Sequence, residues 1–383
     1  MPLLAAGIVL TGLNLRLAVA SVPPIVDEIR RDLGLSATAA GILTAAPVLC
    51  FGLLAPAAPI LARRFGGERV MFLALLPIVV GVAGRAAGSE AALFAGTLLA
   101  GAGVAVANVI VPSVVKGRFR RSGAVTGLYL GSLTAGVALA AGSTVPLERR
   151  FGWEAALAVW AVPAAVAAAV VGAAAFRKGG SLTARGEAGG GRRLLRDPVA
   201  WQVTAYMGLQ SLVFYAALAW LPSILREDGY SAASAGTLLA VFALAGVPGS
   251  LAVPVLATRF RTQRFLAVAV TGLEAAAVLG LLLAPGAAVV WVVSFALGQG
   301  GALGLALMLM VLRAPDARRA AELSGMAQAI GYCMAATGPW LLGSLYDRTG
   351  DWDDVLVALL VLTVPLAAVG IAAGRARLVT HGA

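Results

Sequence analysis

Ionisable and redox-active side chains are scarce in this chain. One of its 383 residues is histidine (His381), two are cysteine (Cys50 and Cys333), and only 12% carry charge. A lone tail histidine and two cysteines set far apart inside apolar runs support neither a metal site nor a disulfide framework, and both cysteines read as packing residues. No cluster of acids, bases and nucleophiles is present for catalysis, so the chain is read as a non-enzyme. The Gly-x-Gly at Gly101 to Gly103 lies within an apolar run and not after a strand, which excludes a dinucleotide loop. No cofactor is expected.

What fills the sequence instead is apolar. Hydrophobic residues make up 60% of the chain and the mean hydropathy is +0.92, far outside the range of a water-soluble domain. Apolar runs of about 18 to 25 residues recur along the whole length, each sufficient for a hydrocarbon core of roughly 30 Å. They predict twelve transmembrane helices near residues 3–25, 37–62, 70–87, 91–114, 124–146, 154–176, 198–222, 235–257, 265–284, 288–312, 322–345 and 355–374. The first run lacks a basic n-region and a small-residue cleavage site, so it reads as a retained span and not a signal peptide. Glycine and alanine crowd these runs, which lets helices approach closely in lipid. Pro47, Pro56, Pro112, Pro248 and Pro339 read as kinks that neighbouring helices can tolerate.

The basic residues set the orientation. If the N-terminus is cytoplasmic, twenty-one of the 29 Lys and Arg residues fall in inside segments, among them Arg63, Arg64, Arg69, Lys116, Arg118 and Arg313. Seven fall outside, namely Arg30, Arg31, Arg85, Arg149, Arg150, Arg226 and Arg348, and Arg16 is left inside a span. The positive-inside bias then puts both termini in the cytoplasm and the chain in the cytoplasmic (inner) membrane. A net charge of +11 could suggest a nucleic-acid partner. These arginines occupy alternate short loops without an aromatic-interleaved face, so topology and anionic headgroups account for them.

Residues 177–197 are Gly- and Arg-rich without apolar periodicity and read as a flexible cytoplasmic linker. They separate an N-terminal six-helix bundle (1–176) from a C-terminal one (198–383). The halves are related: residues 32–65 lie over 227–260 without a gap, pairing Gly34 with Gly229, Ser36 with Ser231, Gly41 with Gly236, Pro59 with Pro254, Arg64 with Arg259 and Phe65 with Phe260. Two parallel six-helix repeats flanking a midplane cavity are the architecture of alternating-access carriers.

The six-plus-six layout and the loop PILARRFGGER (59–69) resemble the major facilitator superfamily and its G-x-x-x-D-R-x-G-R-R signature. Arg64, Gly66 and Arg69 fit that gating-loop motif, whereas its Asp position is held here by Arg63 and its leading Gly by Pro59. GLNLRLAVASVPPIVDEI (12–29), NVIVPSVVKGRF (108–119), GLQSLVFYAALAWLPSIL (208–225) and LSGMAQAIGYCMAATGPWLLGSLYDRTG (323–350) are similar to the CynX/NimT-like branch, linked to cyanate and 2-nitroimidazole. The resemblance implies an all-α secondary transporter of major facilitator fold and leaves its cargo open.

Arg16 is the most informative residue. A charge near the middle of span 1 costs from about 3 kcal/mol to more than 10, so it needs a polar interior or a partner. On a 3.6-residue period Gly12 and Ala20 lie above and below it and leave room for the guanidinium to reach inward. A permanently charged planar fork suits a small carboxylate-like or linear anion; the competing reading is an Arg that caps carbonyls or ties helices together. Aligning Pro23 or Pro24 with Pro222 sets Arg16 against Tyr215 or Phe214 in span 7. Gln202, Tyr206 and Gln210 recur on one face of that span, and Ser324, Gln328 and Tyr332 on one face of span 11. Gln210, Tyr215, Gln328, Tyr332 and Asn108 either line the substrate cavity or bond helix to helix. Trp220 and Trp340 read as interface anchors or packing.

Glu274, central in span 9, is either a proton carrier coupled to transport or a neutral carboxyl hydrogen-bonded to a neighbour, and the second reading is preferred. The chain is thus expected to be a monomeric carrier of a small anionic solute in the lipid bilayer. The alternatives are an efflux carrier for neutral drug-like compounds and, from another class, a membrane receptor or channel. Arg16 argues against a cationic cargo.

Overall fold

The computed structural model describes residues 2–119, 122–176 and 194–379. Most of the linker, Arg120, Arg121 and His381 lie outside the described residues. Every regular element among the described residues is helical, as lipid requires of a chain that must satisfy its own backbone polar groups. The α-helices are α1 (Pro2–Ala20), α2 (Val26–Leu33), α3 (Ala37–Leu54), α4 (Ala57–Phe65), α5 (Gly67–Gly84), α6 (Glu90–Arg118), α7 (Ser122–Ala158), α8 (Ala161–Phe176), α9 (Pro198–Glu227), α10 (Ala232–Arg259), α11 (Arg264–Leu283), α12 (Ala288–Leu312), α13 (Ala317–Ala335), α14 (Thr337–Thr349) and α15 (Trp352–Ala373).

Ten stretches are long and apolar enough to cross a membrane. One of them, Ala124–Phe176, has 53 residues, about 80 Å of helix at 1.5 Å per residue, and so holds two crossings of a core of about 30 Å. Gly152 makes the reversal with φ 81° and ψ 163°, a backbone that side chains other than glycine's resist. The eleventh crossing is split between α13 and α14, neither of which spans alone, and the break at Ala336 precedes Pro339. The second crossing is likewise divided, at Ala55 and Pro56, into α3 and α4. Helix starts carry side-chain caps: Ser89 on α6, Asp197 on α9, Asp316 on α13 and Asp351 on α15 each accept from a first-turn N–H.

The chain forms two compact units. One takes the described residues of Met1–Leu35, Ile42–Glu187 and Ala232–Ala240; the other takes those of Ser36–Gly41, Ala188–Ser231 and Val241–Ala383. Helices α1 and α4 to α8 thus fall in the first unit and α9 and α11 to α15 in the second, while Ser36–Gly41 of α3 and Ala232–Ala240 of α10 are grouped apart from the rest of their helices. In the first unit α1 packs on α7 and α8, and α5 on α6 and α8. Small residues set these distances: a Cβ on Gly81 would meet the Gly96 carbonyl, and one on Gly103 the Ala74 carbonyl. In the second unit α9 packs on α13 and α15, and α11 on α12 and α15. Helix α9 is the most enclosed span, 89% buried against 22% for α10, so its polar residues face protein.

Candidate functional site

In the first unit the site is built around Arg16. Helix α1 meets α7 at backbone distance: a Cβ on Gly136 would stand 2.5 Å from the Leu13 carbonyl and 3.1 Å from Arg16 Cβ. Arg16 is half-buried. Beside it on α7 stands Tyr129, 4% exposed, whose phenol lies within reach of the Arg16 charge and donates to Asn108 Oδ1 on α6 at 3.4 Å. Tyr129 on α7 thus bonds Asn108 on α6 and feels the Arg16 charge on α1. Sequence reasoning missed Tyr129, although it is the single tyrosine before the linker. The expected room at Gly12 is not there: Ser132 and Tyr129 occupy the space a Cβ would take, so Gly12 serves the α1–α7 crossing and not the guanidinium.

Arg85, expected in an outer loop, is instead 1% exposed. Its Nη1 donates to the Ala18 carbonyl at 2.9 Å, placing a cation against the negative end of α1. Asn14 bonds the Leu10 and Pro163 carbonyls at 2.8 and 3.1 Å, which ties α1 to α8.

In the second unit Tyr215 (α9) and Tyr332 (α13) face each other, ring centroids 6.4 Å apart and edge to face. Phe214 stacks on Phe242 at 6.0 Å. Gln210, 1% exposed, donates to Ser211 Oγ at 2.6 Å and to the Met207 carbonyl at 3.2 Å; Gln328 donates to Ser324 Oγ at 2.8 Å. Both glutamines therefore bond along their own helices. Helix crossings also revise the expected counterpart of Arg16. Gly136 meets Leu13 in the first unit and Gly331 meets Gly208 in the second, the same spacing that brings Gly34 onto Gly229. On that register Arg16 corresponds to Ser211 and not to Tyr215 or Phe214. Trp220 is fully buried, donates to the Pro339 carbonyl at 2.8 Å and packs on Trp352; it is a packing residue. Trp340 is 42% exposed on α14.

Glu274 is fully buried. Gly298 of α12 makes room for it, since a Cβ there would lie 2.7 Å from Glu274 Cγ. Neither carboxyl oxygen has a hydrogen-bond partner among the described residues, so the expected hydrogen-bonded neighbour is absent. The unpartnered hydroxyls of Tyr206 and Thr271 lie on the elements around it.

The loop at residues 59–69 shows the repeat in its interactions. Gly66 joins α4 to α5 with φ 84°, Arg64 lies over the Phe65 ring at 5.2 Å and Arg69 over Phe176 at 5.9 Å. Glu68 pairs with Arg118 at the end of α6 at 2.6 Å. The repeat register carries this pair onto Gln263 and Arg313, and these two also bond. Gln263 further donates to the Phe260 and Ala257 carbonyls at 2.8 and 3.0 Å, and Arg313 Nε to the Ala373 carbonyl at 2.8 Å. Each unit thus fastens the loop after its second crossing to the end of its fourth.

Twelve helical crossings in two repeats, with almost no charge inside them, define a polytopic membrane carrier. A model of the Major Facilitator Superfamily matches residues 4–339, and the chain belongs to that family. It is 38% identical over 374 residues to the 2-nitroimidazole transporter of Escherichia coli (strain K12), covering 97% of this chain and 95% of that one. It is 37% identical over 380 residues to the uncharacterized transporter YycB of Bacillus subtilis (strain 168), covering 98% and 94%. It is 32% identical over 373 residues to the cyanate transport protein CynX of Escherichia coli (strain K12), covering 94% and 96%. Among solved structures, a bacterial homolog of the human lysosomal transporter Spinster, inward-facing and unoccupied, superposes with a TM-score of 0.78 at 17% identity, covering 98% of this chain and 96% of that one. The protein is therefore a multi-pass membrane transporter of the CynX/NimT-like branch and not an enzyme.

Proposed function

We propose that this protein is a secondary carrier that moves a small anion or anion-like solute across the cytoplasmic membrane by alternating access, with Arg16 as the substrate anchor. The observation that carries the reading is the Arg16 cluster. A permanent cation sits half-buried on a lipid-spanning helix, beside the Tyr129 phenol and the Asn108 amide. Such a charge needs a polar interior or a ligand to offset its desolvation, and a guanidinium binds planar or linear anions through paired N–H donors. The Escherichia coli relative named for cyanate supports an anionic cargo. Gln210, Tyr215, Gln328 and Tyr332 are assigned to the substrate surface of the second half, and Arg64, Gly66 and Arg69 to gating. Residues 1–176 and 198–383 act as the two bundles, 177–197 as their linker, both termini face the cytoplasm, and the carrier works as a monomer. Among the described residues Glu274 is the acid buried within a span, and it is assigned the proton if transport is proton-coupled.

The test is ligand-induced thermal stabilisation of purified protein by cyanate, nitrate, small carboxylates and 2-nitroimidazole, in wild type and Arg16→Gln. Stabilisation by anions that is lost in Arg16→Gln supports the anchor. Equal stabilisation in both overturns it. A second reading, export of neutral compounds, is favoured by the relative named for 2-nitroimidazole, and stabilisation by 2-nitroimidazole alone would select it.

A further inference from the structure

The interior of the second unit holds polar side chains that its own packing leaves unpaired. Helices α9 and α11 each pack on both α12 and α15 there, and the carboxyl enclosed by these four helices is that of Glu274 on α11, fully buried. The basic residues on the same helices are Arg226 and Arg264, which stand at helix ends. None of the four therefore neutralises Glu274 from within, and a carboxylate left ionised in such a place costs several kcal/mol unless it is paired.

Three further side chains share its situation. Tyr206 of α9, Thr271 of α11 and Gln299 of α12 are 0%, 2% and 3% exposed. The phenol, the hydroxyl and both ends of the amide have no hydrogen-bond partner among the described residues. Thr271 lies three residues before Glu274, on the same face of α11. The Tyr206 phenol lies within reach of the Glu274 charge. Its ring edge and Ala267, one turn before Thr271, meet α15 at the same point, since a Cβ on Gly370 would be 2.9 Å from each. On α12, Gly298 clears the space for the Glu274 arm and Gln299 follows it. Gln299 shares its helix face with Ala302, which belongs to the same buried cluster as Tyr206. Buried polar groups without protein partners call for a bound water or ion. Carboxylate, phenol, hydroxyl and amide oxygens are the donor set of a hard cation. A proton would neutralise the acid and make one bond, leaving the other oxygens unpaired, whereas a cation takes a lone pair from each. With one carboxylate present, a single positive charge leaves the site neutral, and a divalent ion would bury an excess charge.

We propose that Glu274, Tyr206, Thr271 and Gln299 form a binding site for a monovalent metal cation, such as sodium, inside the second unit. The site does not rest on the Arg16 reading, because a carrier of neutral solutes would hold the cation equally well. The bound ion joins α9, α11 and α12 through oxygens that otherwise make no contact.

The test is equilibrium binding of radioactive sodium to the purified full-length protein, with choline replacing sodium at fixed ionic strength, and thermal unfolding in the same series. Wild type should bind sodium saturably and unfold at a higher temperature in sodium than in choline. Glu274→Gln should lose both effects, and Thr271→Val and Gln299→Leu should each weaken sodium binding about tenfold. Equal sodium binding in wild type and Glu274→Gln would overturn the site. Wild type that behaves alike in sodium and choline would also overturn it and leave Glu274 to a proton or to water. If Glu274→Gln does not fold, the Thr271 and Gln299 variants decide by the same criterion. Sodium binding that needs Glu274, in a protein that shows no transport current for any anion, would keep the cation site and refute the anion reading alone.

Discussion

Replacing Glu68 offers a calibrated perturbation, because the protein carries its own control. In the first unit Glu68 pairs with Arg118 at 2.6 Å, with side chains 14% and 20% exposed. At the register-equivalent place the second unit uses Gln263 with Arg313, and Arg313 is only 4% exposed. There a neutral amide, together with the Ala373 carbonyl, holds an even more buried guanidinium. Glu68→Gln turns the first clasp into a copy of the second and should cost about 1 kcal/mol or less, the difference between a charged and a neutral hydrogen bond. Glu68→Ala removes the carboxylate beside a mostly buried guanidinium altogether and should cost more, about 2 kcal/mol. Thermal unfolding in detergent with a fixed heating rate reads the order: wild type, then Glu68→Gln close behind, then Glu68→Ala clearly lower. Added salt should narrow the first gap and leave the second nearly intact, since screening acts on the charge and not on the missing acceptor. Equal losses for Gln and Ala would refute the equivalence of the two clasps, and no loss for either would show that the pair holds nothing.

Other consequences follow from single positions. Gly66→Ala forces a Cβ into φ 84° and should lower stability by about 1 to 2 kcal/mol, seen as a reduced unfolding temperature. Gly136→Val should push α7 off the Leu13 backbone and disturb Arg16, reducing both stability and anion-induced stabilisation, whereas Gly142→Ala, with open space around it, should do neither. Asp228 has its carboxyl pKa raised by burial and then by the nearby Asp353 charge. Its ionised form is thus disfavoured in the folded state, and the cost appears as pH rises above the ordinary carboxylate range. Asp228→Asn should therefore raise the unfolding temperature at pH 7 and change it little at pH 4.

The crossings were legible because hydropathy and length are set by the bilayer and not by tertiary detail. Their breaks were not: α3 and α4, or α13 and α14, read as single spans, since proline in lipid kinks a helix as readily as it ends one. The repeat was visible over residues 32–65, and its register turns out to carry the Glu68–Arg118 pair onto Gln263–Arg313. That match hid in the sequence because a Glu and a Gln look unrelated until both are seen to hold an arginine. Arg16 stood out as an isolated charge, yet Tyr129, whose phenol feels that charge, did not, because one phenol in a Gly- and Ala-rich helix leaves no periodic trace. Arg85 was misplaced for a related reason. A charge at the end of an apolar run reads as a loop residue, and only the tertiary position of the α1 C-terminus reveals that it is buried. Gly12 shows the limit of helical-wheel reasoning: a missing side chain makes space, and here Ser132 and Tyr129 of the neighbouring helix fill it.

The central claim is that Arg16 engages an anion during transport. The most direct measurement is the transient current from proteoliposomes on a supported membrane after a jump in cyanate, nitrate or carboxylate concentration, in wild type and Arg16→Gln of matched folding and reconstitution. The account predicts a saturable current with at least one of these anions in wild type and its loss in Arg16→Gln. The same current, with the same half-saturation, in both proteins would contradict it.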